Sequence, residues 1–426
     1  MATPFEPLVL PNGSLLHNRV AKAAMEENMA DAAHAPSADL MQLYTAWADG
    51  GAGLILTGNV MIDRRAMTGP GGVVLEDESS VPAFREWARI GQAKGAQMWV
   101  QLNHPGRQVM KSMGQETWGP SPVALDLGKY SRMFATPKAM TEQNIHEVIA
   151  RFVNAARIAE KAGFAGAQIH AAHGYLISQF LSPLTNRRCD RWGGTLENRA
   201  RLLLETVTAV RSAVSHTFSV AVKLNSADFQ RGGFDVDDAK RVVVMLNDLS
   251  VDLVELSGGS YEAPAMQGSA HDGRTLAREA YFLAFASEIA TIAKMPVMVT
   301  GGIRRVSVVQ QILDSGVAAA GIGTALAIRP ELPNLWKAGG DPRPEIPPNR
   351  WKNKALASLA TMAVVKYQLR RLSQGRPPAP TVSPLKALLL TQCRTARLTR
   401  KYRRWMAPPR TLPSANTSSH SVQVPR

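Results

Sequence analysis

At 426 residues, 45% of them hydrophobic, the chain can build one large or two ordinary domains around a full core. Two cysteines exclude a disulfide framework and a cluster held by four thiolates. No charged-then-apolar leader and no apolar run near about 18 residues is present, so the sequence reads as cytoplasmic rather than secreted or membrane-spanning. The net charge of +15 is confined to the end. From Pro347 onward there are 16 Lys and Arg and no Asp or Glu, which leaves 33 basic and 34 acidic residues, a net of −1, before it. A near-neutral body, 1–346, and a basic helical extension, 347–406, are expected as separate units, with 407–426 disordered in composition.

In chain order, residues 8–10 and 15–16 flank Asn12-Gly13 and read as a hairpin. A first strand is expected over 20–25, running into Ala24, Met25 and Glu26. A helix follows from an N-cap at Ser37 to a C-cap at Gly50. The next strand, 54–60, carries Asn59, and a helix is expected over 81–94. Strand 98–102 delivers Gln101 into the string Asn103-His104-Pro105-Gly106-Arg107. The connection 108–140 is long enough to be functional, a roof over a pocket. Helix 141–162 shows a 3.6-residue apolar stripe through Ile145, Val148, Ile149 and Phe152, and Gly163 stops it. After strand 166–170 come a helix over 196–215, a strand over 219–225 with Lys223 inside it, and a helix over 235–249. Strand 253–257 leads into a long loop, 258–279, with Tyr261, Met266, His271 and Arg274, placed to act as a lid. A helix over 280–294 and strands over 296–300 and 319–323 complete the pattern. These last strands end in Gly301-Gly302 and Gly323-Thr324, where backbone N–H groups can reach a phosphate. Eight strands alternating with helices predict a (β/α)8 TIM barrel, preceded by the hairpin and followed by the basic helical tail.

The densest chemistry lies at the end of the fourth strand. His170 and His173 stand three apart and Tyr175 follows. At the carboxyl end of a barrel strand, these donors suit holding a carbonyl or phenol oxygen and delivering a proton beside it. Two histidines without a nearby carboxylate at helical spacing make a poor metal site, so no metal is expected. Ordinary loop-edge histidines with backbone partners are the other reading of the triplet alone.

The string HAAHGYLISQFLSPLTNRR, followed by Asp190, Trp192 and GGTLENRARLLLE, together with QLNHPGR, resembles the signature of the Old Yellow Enzyme family of FMN-dependent ene-reductases. The resemblance implies FMN held non-covalently at the carboxyl face of the barrel, reduced by NADH or NADPH and reoxidised by an activated alkene. It implies a hairpin closing the barrel floor. Around the flavin it implies Ala24, Met25, Glu26, Asn59, Gln101, Lys223, Gly301, Gly302, Gly323 and Thr324. The substrate oxygen falls to His170 and His173 with Tyr261 nearby, and Tyr175 is the implied proton donor. Three departures stand out. Glu26 occupies a position where relatives carry Cys, Thr or His. Lys223 replaces an Arg common in relatives, keeping the charge without the bidentate fork. Thr324 replaces an Arg, so phosphate neutralisation shifts to backbone amides. Neither the four-cysteine cluster nor the G-x-G-x-x-G fingerprint of the longer relatives is present.

The implied partner is a small enone-type molecule, with no specific nucleic acid. Two alternatives remain: an oxidase or demethylase on the same barrel, for which Glu26 is the distinguishing residue, and a non-catalytic binding protein directed by its tail. In the tail, 351–372 has helical periodicity and is expected to pack on the barrel or on a second subunit of a homo-oligomer. Residues 384–406 alternate leucines with Arg and Lys, giving a basic helix that is either solvated beside the barrel or directed at an acidic partner or membrane surface.

Overall fold

Eight short parallel strands close on themselves in the computed structural model, which describes residues 2–265, 279–347, 349 and 351–407. They are β1 Val20–Lys22, β2 Leu54–Met61, β3 Gln97–Asn103, β4 Gly166–Ala171, β5 Ser219–Asn225, β6 Leu253–Ser257, β7 Val297–Thr300 and β8 Ala319–Ile322. Each pairs in parallel with its sequence neighbour, and β8 returns to β1 with Ala320 opposite Val20. The strands are buried on both faces, which is why they read as near-continuous apolar runs. Met266, His271 and Arg274, the residues read from the sequence as part of a lid, lie outside the described residues, as do 408–426.

The helices are α1 Ala38–Ala48, α2 Val81–Gln92, α3 Glu142–Lys161, α4 Leu176–Leu181, α5 Leu196–Ala213, α6 Val236–Leu246, α7 Leu283–Ala290, α8 Val306–Asp314, α9 Thr324–Ile328, α10 Leu332–Lys337, α11 Lys354–Leu372 and α12 Pro384–Met406. Ser37 caps α1 as expected, but the C-cap is Asp49 rather than Gly50. Thr141 and Asn144 form a reciprocal capping box at the start of α3, and the predicted apolar stripe faces the barrel. The first strand is shorter than its sequence pattern. The ladder continues only through Ala23 N–H to the Ile322 carbonyl, 2.9 Å, and residues 24–29 then turn away.

Strand parity sorts the barrel interior into layers. The hairpin, Leu8–Val9 paired with Leu15–Leu16, plugs the floor. Its Leu8, Leu10 and Leu16 pack with Ala21, Leu54, Leu56, Trp99, Ala221, Leu253, Met298 and Ala319. Each fully buried large side chain there contributes roughly 2–3 kcal/mol. One step up the same parity the layer is polar: Gln101, Gln168, Lys223 and Glu255. Strand β2 departs from strict alternation. Its register with β3 shifts between Leu56 and Asn59, a bulge that brings Asn59 onto the inward face.

The basic extension folds back over the carboxyl face. Helix α11 packs against α1 and α9, and α12 lies alongside α11. Tyr402 of α12 is buried, and its hydroxyl donates to the Arg64 carbonyl at 2.7 Å. Trp405 stacks against His34, ring centres 4.3 Å apart, and under the Arg64 guanidinium at 4.8 Å. The aromatic anchors sit at the very end of α12, so they are missed when its leucines are taken as its apolar face. Of the leucines Leu388, Leu389 and Leu390, the last two are exposed, as is Leu385, while Leu388 packs against a small cluster of Ala363, Val364 and Ala387.

Candidate active site at the carboxyl face of the barrel

The top of the barrel gathers the residues that the sequence singled out. The His170 ring lies 5.0 Å from His173 and 4.9 Å from Tyr175, centre to centre and nearly perpendicular in both cases. His170 lies near the end of β4, and the chain then turns through His173 and Gly174, both with positive φ, 60° and 72°. A left-handed histidine costs backbone energy and persists only where the surroundings impose it. Here the Asn225 side-chain oxygen accepts the His173 N–H at 3.0 Å, while the Asn225 amide donates to Asp228 and the Gly259 carbonyl. On the ring, His173 Nε2 meets Ser257 Oγ at 2.8 Å. His170 Nδ1 accepts the Ala172 N–H at 3.2 Å, so its Nε2 carries the ring proton.

Tyr175 is buried. Its hydroxyl lies 3.3 Å from that of Tyr261 and accepts from Asn59 Nδ2 at 3.4 Å. Tyr261 in turn packs against Phe134 of the long 108–140 connection, ring centres 6.3 Å apart. That connection is tied to a buried ion pair, Arg107 with Glu262: Arg107 donates to the Val123 and Ala124 carbonyls, and Glu262 accepts the Asp126 N–H. The expected roof is therefore built from both long loops.

Electrostatics set the protonation states. Burial is the main cause for each group of the triplet. It pulls His170 and His173 well below the usual histidine range, with the Lys223 charge adding to it, so both rings are neutral at pH 7. Burial, then Tyr261 and the Glu26 carboxylate, push Tyr175 well above the usual phenol value. The site thus offers neutral N–H donors and a protonated phenol.

Beneath them runs a chain of buried polar groups. Gln101 Nε2 donates to Gln168 Oε1 at 2.7 Å, Gln168 Nε2 to Glu255 Oε2 at 2.8 Å, and Lys223 Nζ to Glu255 Oε1 at 2.7 Å. Lys223 and Glu255 are 4% and 0% exposed. The positive charge read from the sequence is thus half of an ion pair. Glu255, Gln168, Asn225 and Ser257 were all missed. Their only signal is position, since each is a polar residue in an otherwise apolar strand.

Glu26 sits on the segment leaving β1. It accepts from the Thr68 hydroxyl and pairs with Lys366 Nζ of α11 at 3.0 Å. Desolvation alone would raise it, but Lys366, Thr68 and Asn28 outweigh that and hold the carboxyl below its ordinary value. Ala24 and Met25 precede it on the same rim, and Met25 approaches Gly323. Gly301 and Gly302 follow β7 with φ of 132° and 73°, under the Tyr281 and Phe282 rings. A Cβ on Gly302 would come within 2.5 Å of the Tyr281 ring, which explains the glycine. Gly323 leads from β8 into α9, whose first residue is Thr324. The predicted positions, from Ala24 to Thr324, thus lie within the strands near their carboxyl ends or on the segments that follow them. Among the described residues no cluster of three His, Cys, Asp or Glu is placed to hold a metal.

Fold and site position define a (β/α)8-barrel enzyme with hydrogen-bond donors gathered at its carboxyl face. The sequence model of the NADH:flavin oxidoreductase / NADH oxidase family matches residues 4–338, and the chain belongs to this family. It is accordingly an FMN-dependent oxidoreductase of the Old Yellow Enzyme group. The NADH-dependent flavin oxidoreductase iliE of Neonectria sp. is 36% identical over 77% of this chain, and iliE of Hypocrea jecorina is 34% identical over 77%. The match spans 46% of the first relative's length and 87% of the second's. Among solved structures, an old yellow enzyme homologue from Zymomonas mobilis superposes with a TM-score of 0.70 at 26% identity. It covers 81% of this chain and 95% of its own. A 2-naphthoyl-CoA reductase complex gives 0.73 at 24% identity over 79% of this chain and 52% of its own, a likeness of fold.

The residues at the strand ends fit a flavin. Asn59 Oδ1 and both side-chain amide atoms of Asn103, on the parity of Gln101, are buried without a partner among the described residues. An amide-bearing ring edge satisfies such groups. Beside Gly323 an added Cβ would meet nothing nearer than Met25 at 3.9 Å, which leaves the backbone open to a ligand oxygen.

Proposed function

We propose that the enzyme reduces the carbon–carbon double bond of α,β-unsaturated carbonyl or nitro compounds. NADH, the nucleotide in the relatives' names, or NADPH serves as reductant. The observation that carries this reading is the convergence of two neutral imidazoles and one protonated phenol, the His173 and Tyr175 ring centres lying 5.0 and 4.9 Å from that of His170. FMN, when bound, supplies a two-electron carrier that takes hydride from the nicotinamide and returns it to the alkene's β-carbon.

The chain's own residues do the rest. His170 offers Nε2–H to the substrate's activating oxygen. His173 offers Nδ1–H once its Nε2 accepts from the Ser257 hydroxyl. Two donors on that oxygen draw electron density away from the alkene as charge develops. Tyr175 then delivers a proton to the α-carbon. Its raised ionisation keeps it an acid through the working pH range, and Asn59 and Tyr261 hold its hydroxyl in place. For the cofactor, Gln101, Asn59 and Lys223 would hold the ring edge, with Ala24, Met25 and Glu26 also lining its site. The backbone of Gly301, Gly302, Gly323 and Thr324 would hold the phosphate, and Tyr261 would border the substrate. The pairing of Glu26 with Lys366 removes the uncompensated negative charge on which the oxidase reading rested.

The double variant His170→Ala, His173→Ala tests this assignment. It should retain FMN, lose the charge-transfer band formed with 4-hydroxybenzaldehyde, and lose at least about 100-fold in turnover of 2-cyclohexenone. Unchanged affinity for the phenol would refute the oxygen clamp.

A further inference from the structure

The family match ends at residue 338, yet the helix that follows puts a charge into the site. Lys366 Nζ lies 3.0 Å from Glu26 Oε2, across 340 residues of sequence, and also donates to Asn28 Oδ1. The other Glu26 oxygen is taken by Thr68, so the carboxylate is gripped by groups from a loop and a helix far apart in the chain. The side chains are 22% and 24% exposed, too enclosed for a bridge that solvent fully screens.

The lysine is delivered by an anchored structure. Ala360, Ala363, Val364, Gln368 and Leu369 are buried along α11. Helix α12 braces the same turn, where Arg394 donates to the Asn28 carbonyl at 3.4 Å and Leu398 lies against Gly71. Asn28 itself has φ of 54°, a left-handed residue held by the extension from both its backbone and its side chain. The Glu26 charge also opposes ionisation of the Tyr175 and Tyr261 phenols. Among the described residues, Lys366 is the titratable group in direct contact with Glu26.

We propose that Lys366 is a positioning residue of the active site, through which the basic C-terminal extension holds Glu26 as a compensated carboxylate on the segment leaving β1. The inference rests on the proposed function for what binds there, but its new element is Lys366, which lies beyond the family match. With Lys366 in place the rim is near neutral and accepts an electron-rich oxygen. Without it, the carboxylate is uncompensated and repels a phenolate or any substrate that gains negative charge on its oxygen. The +15 net charge then has one specific use among its many solvated members.

The test is a double-mutant cycle on the FMN-loaded, full-length enzyme, with the dissociation constant of 4-hydroxybenzaldehyde read from its charge-transfer band. Lys366→Met should weaken the phenol about tenfold, and Lys366→Arg should restore it to within about threefold. Adding Glu26→Gln to Lys366→Met should recover most of the loss, because the partner left uncompensated is then neutral. A merely structural role for Lys366 predicts instead that the two losses add. Additive losses, or an unchanged constant in Lys366→Met, overturn the proposal. If wild type reduces no enone but the cycle still couples, the positioning role stands and the ene-reductase reading falls. If wild type reduces 2-cyclohexenone and the cycle is additive, the reverse holds.

Discussion

Replacing Glu255 by Gln keeps the shape of the side chain and removes its charge. In the structure that charge is the partner of the Lys223 ammonium, 2.7 Å away and 4% exposed, and it also accepts from Gln168. Removing one member of a buried pair costs about 3–5 kcal/mol, because the remaining charge stays desolvated. The amide in Glu255→Gln keeps one oxygen for Lys223 to donate to, so the expected loss is at the lower end, about 3 kcal/mol. Against a total stability of about 5–15 kcal/mol this is a large fraction. Urea unfolding of the FMN-free protein, with midpoint and slope compared to wild type, reads it directly. The double change Glu255→Leu, Lys223→Met should recover much of the stability, since a hydrophobic pair of similar volume replaces the ions. A loss below about 1 kcal/mol in the single variant would mean that Lys223 has another partner or reaches water, and the polar layer would need redrawing.

Burial holds His104 down to about 4, against 6.5 for a free side chain. Between those values the unfolded chain binds a proton that the folded chain does not. Stability is therefore full above pH 6.5 and falls as pH drops toward 4, by roughly 3 kcal/mol from this residue alone. His104→Asn should flatten that acid limb in denaturation measured across pH 4–7, and an unchanged slope would contradict the buried, neutral assignment. At the other end of the chain, Tyr402→Ala should cost about 3–5 kcal/mol, the usual loss for a buried aromatic, and should loosen α12 in hydrogen exchange. Full stability in that variant would show that the extension is not docked through Tyr402.

Much of the barrel was legible because its signals are local. Apolar runs bounded by Gly and polar residues place the strands, Ser37 and Thr141 announce helix starts, and the Asn12-Gly13 hairpin declares itself. His170, His173 and Tyr175 were legible for the same reason, as polar residues crowded at one strand end. What stayed hidden depends on pairing between distant elements. Lys223 reads as a free charge until the register of β5 with β6 sets Glu255 opposite it. Asn59 faces inward only because the bulge after Leu56 shifts the alternation. Glu26 reads as a lone acid because its partner, Lys366, arrives 340 residues later on a helix whose packing face is mostly alanine and valine. Side-chain period alone cannot find such contacts, since it fixes which face a residue occupies and not what lies across from it.

The central claim is that the site passes hydride from a nicotinamide to an activated alkene. The visible spectrum of the purified enzyme, taken anaerobically with NADH added first and 2-cyclohexenone second, tests it most directly. The expected result is a yellow protein that bleaches with NADH and regains its colour on addition of the enone. A protein that bleaches and stays bleached with this and other enones would contradict the reduction of activated alkenes, while leaving the flavin barrel in place.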